Sequence, residues 1–172
     1  MEAGRRPNAV WVALDLRNAF PSLDRDRVLA AVGEHAPQLL SYARLFLGRR
    51  SYYHYVGANG EGEALHADQG VDQGDPLAPA LLAVTIRDPL ERLEERLREL
   101  LEQEGWDSGA AADAVRVRAY LDDILVRVPD CLAAQVPAAA AAACAPVGAT
   151  LDTAKTQVWQ AERGCPAGCE AW

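Results

Sequence analysis

The stretch Ala119 to Val126, AYLDDILV, sets two aspartates side by side between apolar runs. With its flanks, Asp113 to Val128 reads as two strands meeting in a tight turn at Leu121 to Asp123. A carboxylate pair in such a setting costs stability unless it is paired, hydrated or bound to a metal. Aspartate is also a favoured turn residue, and turn chemistry by itself accounts for Asp122 and Asp123 equally well.

Working outward, AVWVALDL (Ala9 to Leu16) is a short apolar, β-prone run, expected as a strand buried on both faces. A helix follows, with Ser22 or Asp24 as N-cap and Val28, Leu29 and Val32 at helical spacing. Pro37 opens a second helical stretch, which Gly48 ends. Ser51 to Asp68 reads as a hairpin turning at Asn59-Gly60, and the Gly- and Pro-rich QGVDQGDPLAP as a loop. Leu77 to Glu104 is helical, entered through Pro79 and kinked or broken at Pro89, with Glu94 and Arg98 as a supporting pair on a solvated face. Beyond the central hairpin, Asp130 caps an alanine-rich helix running towards Ala145 and disturbed at Pro137. TQVWQ makes a last short strand.

Reduced to its skeleton, this order implies an α+β fold: a ferredoxin-like βαββαβ antiparallel sheet with helices on one face and an inserted hairpin at about residues 48–70. Residues 1–161 form the domain and 162–172 a flexible tail. In that topology the first strand neighbours the central hairpin, so Asp15 approaches Asp122 and Asp123. Like charges about 4 Å apart repel by roughly 1 to 4 kcal/mol at effective dielectrics of 80 to 20. A divalent cation removes the conflict, and an oxygen-only donor set suits Mg²⁺ or Mn²⁺. Adjacent strand residues face opposite ways, so Asp122 is expected as the main partner of Asp15 and Asp123 as the more peripheral one.

Composition sets bounds on the rest. With 172 residues and 50% hydrophobic content the chain is long and apolar enough for one core. It has no run of about 18 uncharged apolar residues and no apolar core of a signal peptide, so a soluble intracellular protein with no membrane partner is expected. The net charge of −8 lacks the basic footprint that phosphate binding usually leaves. Its sign varies along the chain, however: Arg17, Arg25, Arg27, Arg44, Arg49 and Arg50 face only three acids between residues 17 and 50. Of the four cysteines, Cys165 and Cys169 are spaced as half a metal site, and no second pair completes it.

Taken in order, LDLRNAF, GVDQGDPLAPALLA, YLDD and GATLDTAKT resemble the first catalytic motif, the QGxPLSP-type motif, the YxDD box and the Gly-x-x-Leu-x-x-x-Lys motif of reverse transcriptase palms, particularly of non-LTR retrotransposons. The resemblance implies an RNA-directed DNA polymerase that transfers dNTPs to a DNA primer on an RNA template by two-metal catalysis. Asp15 and Asp122 would be the principal metal ligands, Asp123 a third carboxylate and the Leu16 carbonyl a backbone contact. Gln73, Gly74 and Tyr120 would line the nucleotide and template. Phe20 stands where these enzymes carry an aromatic under the sugar; it cannot accept a hydrogen bond from a 2′-hydroxyl, which implies dNTP selection. Lys155 is the sole lysine among seventeen basic residues. The resemblance puts it near the triphosphate, where an amine, unlike a guanidinium, can act as a general acid.

Ala78 stands where the family often has serine, and the upstream fingers and the thumb of the family are expected to be absent from this chain. Two other readings stay open: a catalytically inactive palm fragment that binds metal or nucleic acid, and an RNA-dependent RNA polymerase.

Overall fold

The computed structural model describes residues 9–160 and 167–169. In chain order its elements are β1 (Ala9–Arg17), α1 (Ala19–Ser22), α2 (Arg25–His35), α3 (Leu40–Leu47), β2 (Ser51–Val56), β3 (Gly62–Ala67), α4 (Ala78–Gln103), α5 (Ser108–Ala114), β4 (Arg116–Tyr120), β5 (Asp123–Pro129), α6 (Val136–Cys144), β6 (Thr150–Leu151) and β7 (Gln157–Gln160). Short 3-10 turns cover Pro37–Leu39, Asp130–Gln135, Ala145–Val147 and Thr153–Lys155.

β1 is the central strand. It pairs antiparallel with β5 on one side and with both β6 and β7 on the other, and β4 closes the β5 edge. The fold is therefore α+β, with an antiparallel sheet interrupted by helices in the chain order expected. Along β1 burial alternates: Val10, Val12, Leu14 and Leu16 are at most 2% exposed, whereas Ala9, Trp11, Ala13 and Asp15 are only half-buried. This corrects the expectation of a strand buried on both faces. An apolar run does not reveal whether both its faces are covered, and here Trp11 and Ala13 stand on the less buried one.

The buried face of the sheet packs against α2, α4 and α6. Val28 and Val32, then Leu82, Ile86, Leu93 and Leu97, then Val136 and Ala140 join Val10, Val12, Ile124 and Val126 in one cluster. Each fully buried leucine or valine there contributes about 1.5–3 kcal/mol relative to exposure. Two helix expectations need correction. α4 runs unbroken through Pro89, which is buried, so the packing of Leu81, Leu82, Leu93 and Leu97 on either side outweighs the backbone hydrogen bond that proline removes. Pro137 does not disturb α6; it sits in its first turn, where the missing N–H costs nothing. The segment Asp130–Val147 is apolar enough by composition to cross a membrane, yet Leu132, Ala133, Val136, Ala140, Cys144 and Val147 lie in the core.

α5 occupies Ser108–Ala114, so Asp113 and Ala114, read from the sequence as strand, are helical. Asp107 caps it by accepting from the N–H groups of Gly109 and Ala110. The hairpin β2–β3 forms a separate two-stranded sheet, joined by a Gly57–Glu61 turn that contains Asn59-Gly60. Its base is held by Arg25, 6% exposed, whose guanidinium donates to the carbonyls of Gly70 and Arg49 and to Ser51 Oγ.

Candidate active site at one end of the sheet

Asp15 lies directly across from Asp123 in the β1–β5 register. Residues opposite each other in an antiparallel pair share a face, and this is the open face. Tyr120 is in turn opposite Asp123, which leaves Leu121 and Asp122 as the two residues of the β4–β5 turn. The sequence reading took Asp122 as the main partner of Asp15 and Asp123 as peripheral; in the ladder the strand partner of Asp15 is Asp123, with Asp122 at the tip of the turn. Leu121 has φ 56, a left-handed conformation that a branched side chain rarely takes, and Asn18, three residues after Asp15, has φ 48. A left-handed residue thus follows the strand that carries Asp15 and precedes Asp122 and Asp123, although asparagine bears it more easily.

The fourth motif reaches the same place. Asp152 N–H donates to the Asp15 carbonyl at 2.8 Å, just beyond the β1–β6 pairs Leu16–Leu151 and Arg17–Thr150. The Asp152 carboxylate accepts from Ala154 N–H and so caps the turn that carries Lys155; it also lies 3.7 Å from Arg17. Lys155 Nζ donates to Asp15 Oδ2 at 2.9 Å. That hydrogen bond, then the charge of Asp15, raises the lysine pKa above its ordinary value, with Asp152 and Asp122 adding to the effect. Asp152 is a fourth carboxylate here that sequence reasoning passed over. Its position three residues before Lys155, inside the same motif, was the available signal.

Asp15, Asp122 and Asp123 are not drawn into a tight trio. Among the described residues the only acid and histidine group whose ligand atoms lie within 4.8 Å of one another is Glu34, His35 and Asp88, where His35 Nε2 is 2.8 Å from Asp88 Oδ1 and links α2 to α4. At the sheet end the charge of Asp15 is met by the ammonium of Lys155. Three carboxylates, those of Asp15, Asp152 and Asp122, act on the Lys155 ammonium, and Asp152 also lies near the Arg17 guanidinium. By chemistry alone, carboxylate and carbonyl oxygens are the donor type that hard cations such as Mg²⁺ or Mn²⁺ take, although the oxygens are not gathered here.

Leu16 is 2% exposed with its side chain in the core, so only its backbone could serve a ligand. Tyr120 is 79% exposed beside Asp123. Phe20, on α1, is half-buried against the core, and its carbonyl accepts from Val71 N–H at 2.9 Å, which docks the QG loop on the segment after β1. Gln73 and Gly74 project from that loop, both exposed; among the described residues no hydrogen bond or ion pair joins them to the carboxylates. Tyr53 of β2 donates to Asp72 at 2.5 Å and steadies the loop from the hairpin side. Gly74 has φ 102 with open space where a Cβ would sit, so its backbone conformation and not crowding calls for glycine. Cys165 lies outside the described residues. Cys169 is buried.

By sequence alone no protein-family model and no curated protein matches the chain. Solved structures do match by shape. Apo telomerase from Candida tropicalis, truncated from its C-terminal domain, superposes with a TM-score of 0.68 at 11% identity, over 92% of this chain and 32% of that one. Telomerase from Candida albicans in complex with a TWJ fragment of telomeric RNA gives 0.61 at 13% identity, over 91% and 28%. The chain spans about a third of the length of these structures. It therefore has a reverse-transcriptase-like fold.

Proposed function

We propose that the chain is the catalytic palm of an RNA-directed DNA polymerase of a retroelement, of the non-LTR retrotransposon type. One observation carries the reading: four stretches far apart in sequence meet on β1 and the residues after it. The Asp122-Asp123 turn meets it through the Asp15–Asp123 register, the GATLDTAKT stretch through Asp152 and Lys155, and the QG loop through the Val71–Phe20 hydrogen bond. A topology without function would not need carboxylates from three of these segments at one sheet end, since unpaired like charges oppose folding.

In this reading Asp15, Asp122 and Asp123, with the Leu16 carbonyl, hold Mg²⁺ or Mn²⁺. The metal when bound activates the primer 3′ oxygen and stabilises charge on the triphosphate. The chain's own residues do the rest. Phe20 lies under the sugar and disfavours a 2′-hydroxyl; Gln73, Gly74 and Tyr120 border the nucleotide and the RNA template. Lys155, freed from Asp15, donates a proton to the leaving pyrophosphate. The RNA-bound neighbour supports an RNA partner. Fingers and thumb segments of the parent polypeptide would supply the remaining grip on DNA primer and dNTP.

The test is primer extension on an RNA template with dNTPs and Mg²⁺ by the full gene product. The reading expects extension with dNTPs far exceeding that with rNTPs, and a Phe20→Ala variant that narrows the gap. Comparable use of rNTPs by the unaltered protein would instead indicate an RNA-dependent RNA polymerase. A second reading, a palm without turnover, is favoured by one observation: Lys155 occupies Asp15, a carboxylate that catalysis would need for the metal. Calorimetric Mg²⁺ binding without extension would select it.

A further inference from the structure

Asp15 holds a cation that the protein itself supplies. Lys155 Nζ stands 2.9 Å from Asp15 Oδ2, with the lysine side chain 63% exposed and the carboxylate 21% exposed. The lysine sits at the end of a 3-10 turn, Thr153–Lys155, fixed at its start because Asp152 both donates to the Asp15 carbonyl and caps the turn. Its backbone is therefore anchored while its four-carbon stem is free to swing. Asp122 and Asp152 also act on the ammonium, so it lies in the shared field of at least three carboxylates. An ammonium is a compact, strongly hydrated point charge that makes no fixed fork with a carboxylate, unlike a guanidinium. A divalent ion brings twice the charge to the same oxygens.

We propose that Lys155 is a resident, displaceable counter-ion: it neutralises Asp15 in the metal-free chain, and a divalent cation binding the same carboxylates expels it. Expulsion sends the only lysine of the chain away from the sheet end, where it becomes available to an anionic group such as a phosphate. Metal occupancy and lysine position are then two readings of one equilibrium, and each opposes the other. The inference rests on the metal-binding reading above.

Because Lys155 is the only lysine, a chain labelled with ¹³Cε-lysine gives one side-chain resonance. Mg²⁺ alone is titrated into the full chain, followed by that resonance and, in parallel, by calorimetry on the unaltered protein and on Lys155→Met and Lys155→Arg. The expected result is a lysine shift with the same Mg²⁺ midpoint as the calorimetry, absent in Asp15→Asn. Lys155→Met is expected to bind Mg²⁺ about two- to fivefold more tightly, the range that an exposed ion pair supports, and Lys155→Arg no more tightly. Mg²⁺ bound with the lysine resonance static, or Lys155→Met with unchanged or weaker affinity, would overturn the counter-ion proposal and leave the metal site standing. No Mg²⁺ binding by either the unaltered protein or Lys155→Met would overturn the metal-binding reading itself, and the proposal with it.

Discussion

Lys155 Nζ and Asp15 Oδ2, 2.9 Å apart, join residues 140 positions apart in the chain and tie its last third to the first strand. The pair raises the lysine pKa above the ordinary 10.5. A base whose folded value is raised contributes fully below its unfolded value, and that contribution disappears as pH climbs through the higher folded one. Lysine-labelled NMR is expected to find the titration above 10.5 in the unaltered protein and lower in Asp15→Asn. Identical midpoints would mean that the pair does not form in solution.

Gly70 and Gly74 make a contrasting pair on the QG loop. Both have positive φ, 75 and 102, but a Cβ on Gly70 would lie 2.3–2.5 Å from the backbone of Pro21, whereas one on Gly74 meets nothing. Gly70→Ala is expected to cost at least about 2 kcal/mol, from conformational strain and a clash that must displace backbone. Gly74→Ala should cost only about 1–2 kcal/mol, from the left-handed conformation. Urea unfolding of the two variants checks this; equal losses would contradict it.

Leu97 is fully buried where α4 meets the sheet. Leu97→Ala is expected to lower stability by about 2–5 kcal/mol through lost transfer energy and a residual cavity. A loss below 1 kcal/mol in urea or thermal unfolding would mean that α4 does not pack as described.

Burial pushes the Cys144 thiol up to about 11, against a slight opposing effect of Arg92. At pH 8 only about one part in a thousand is thiolate, the reactive form. Iodoacetamide at that pH is expected to label exposed Cys131 and spare Cys144, as read by peptide mapping. Because unfolded thiol ionises first, from the ordinary 9.0, stability should decline as pH rises from 9 towards 11.

Much of the frame was legible because local chemistry dictates it. Asp24 does cap α2, accepting from Arg27 N–H; Asn59-Gly60 does turn the outer hairpin; the AYLDDILV segment does fold back on itself, with β5 beside β1. What escaped depended on tertiary context. Seven residues of α5, rich in alanine and glycine, carry no apolar period, and only the Asp107 cap marked them. The unbroken α4 depends on packing around Pro89 that no local propensity encodes. At the site, the topology brought Asp15 towards Asp122 and Asp123, but Lys155 was placed only by resemblance. Neither the register that sets Asp123 opposite Asp15, nor the part of Asp152 in holding Lys155, follows from spacing along the chain.

Primer extension on an RNA template, comparing the unaltered gene product with Asp122→Asn, tests the central claim most directly. Metal-held charge stabilisation is worth several kcal/mol, so the account predicts extension that falls at least about 100-fold in the variant while its unfolding midpoint stays within error. Extension unchanged by Asp122→Asn would contradict the assignment of the metal site to this end of the sheet.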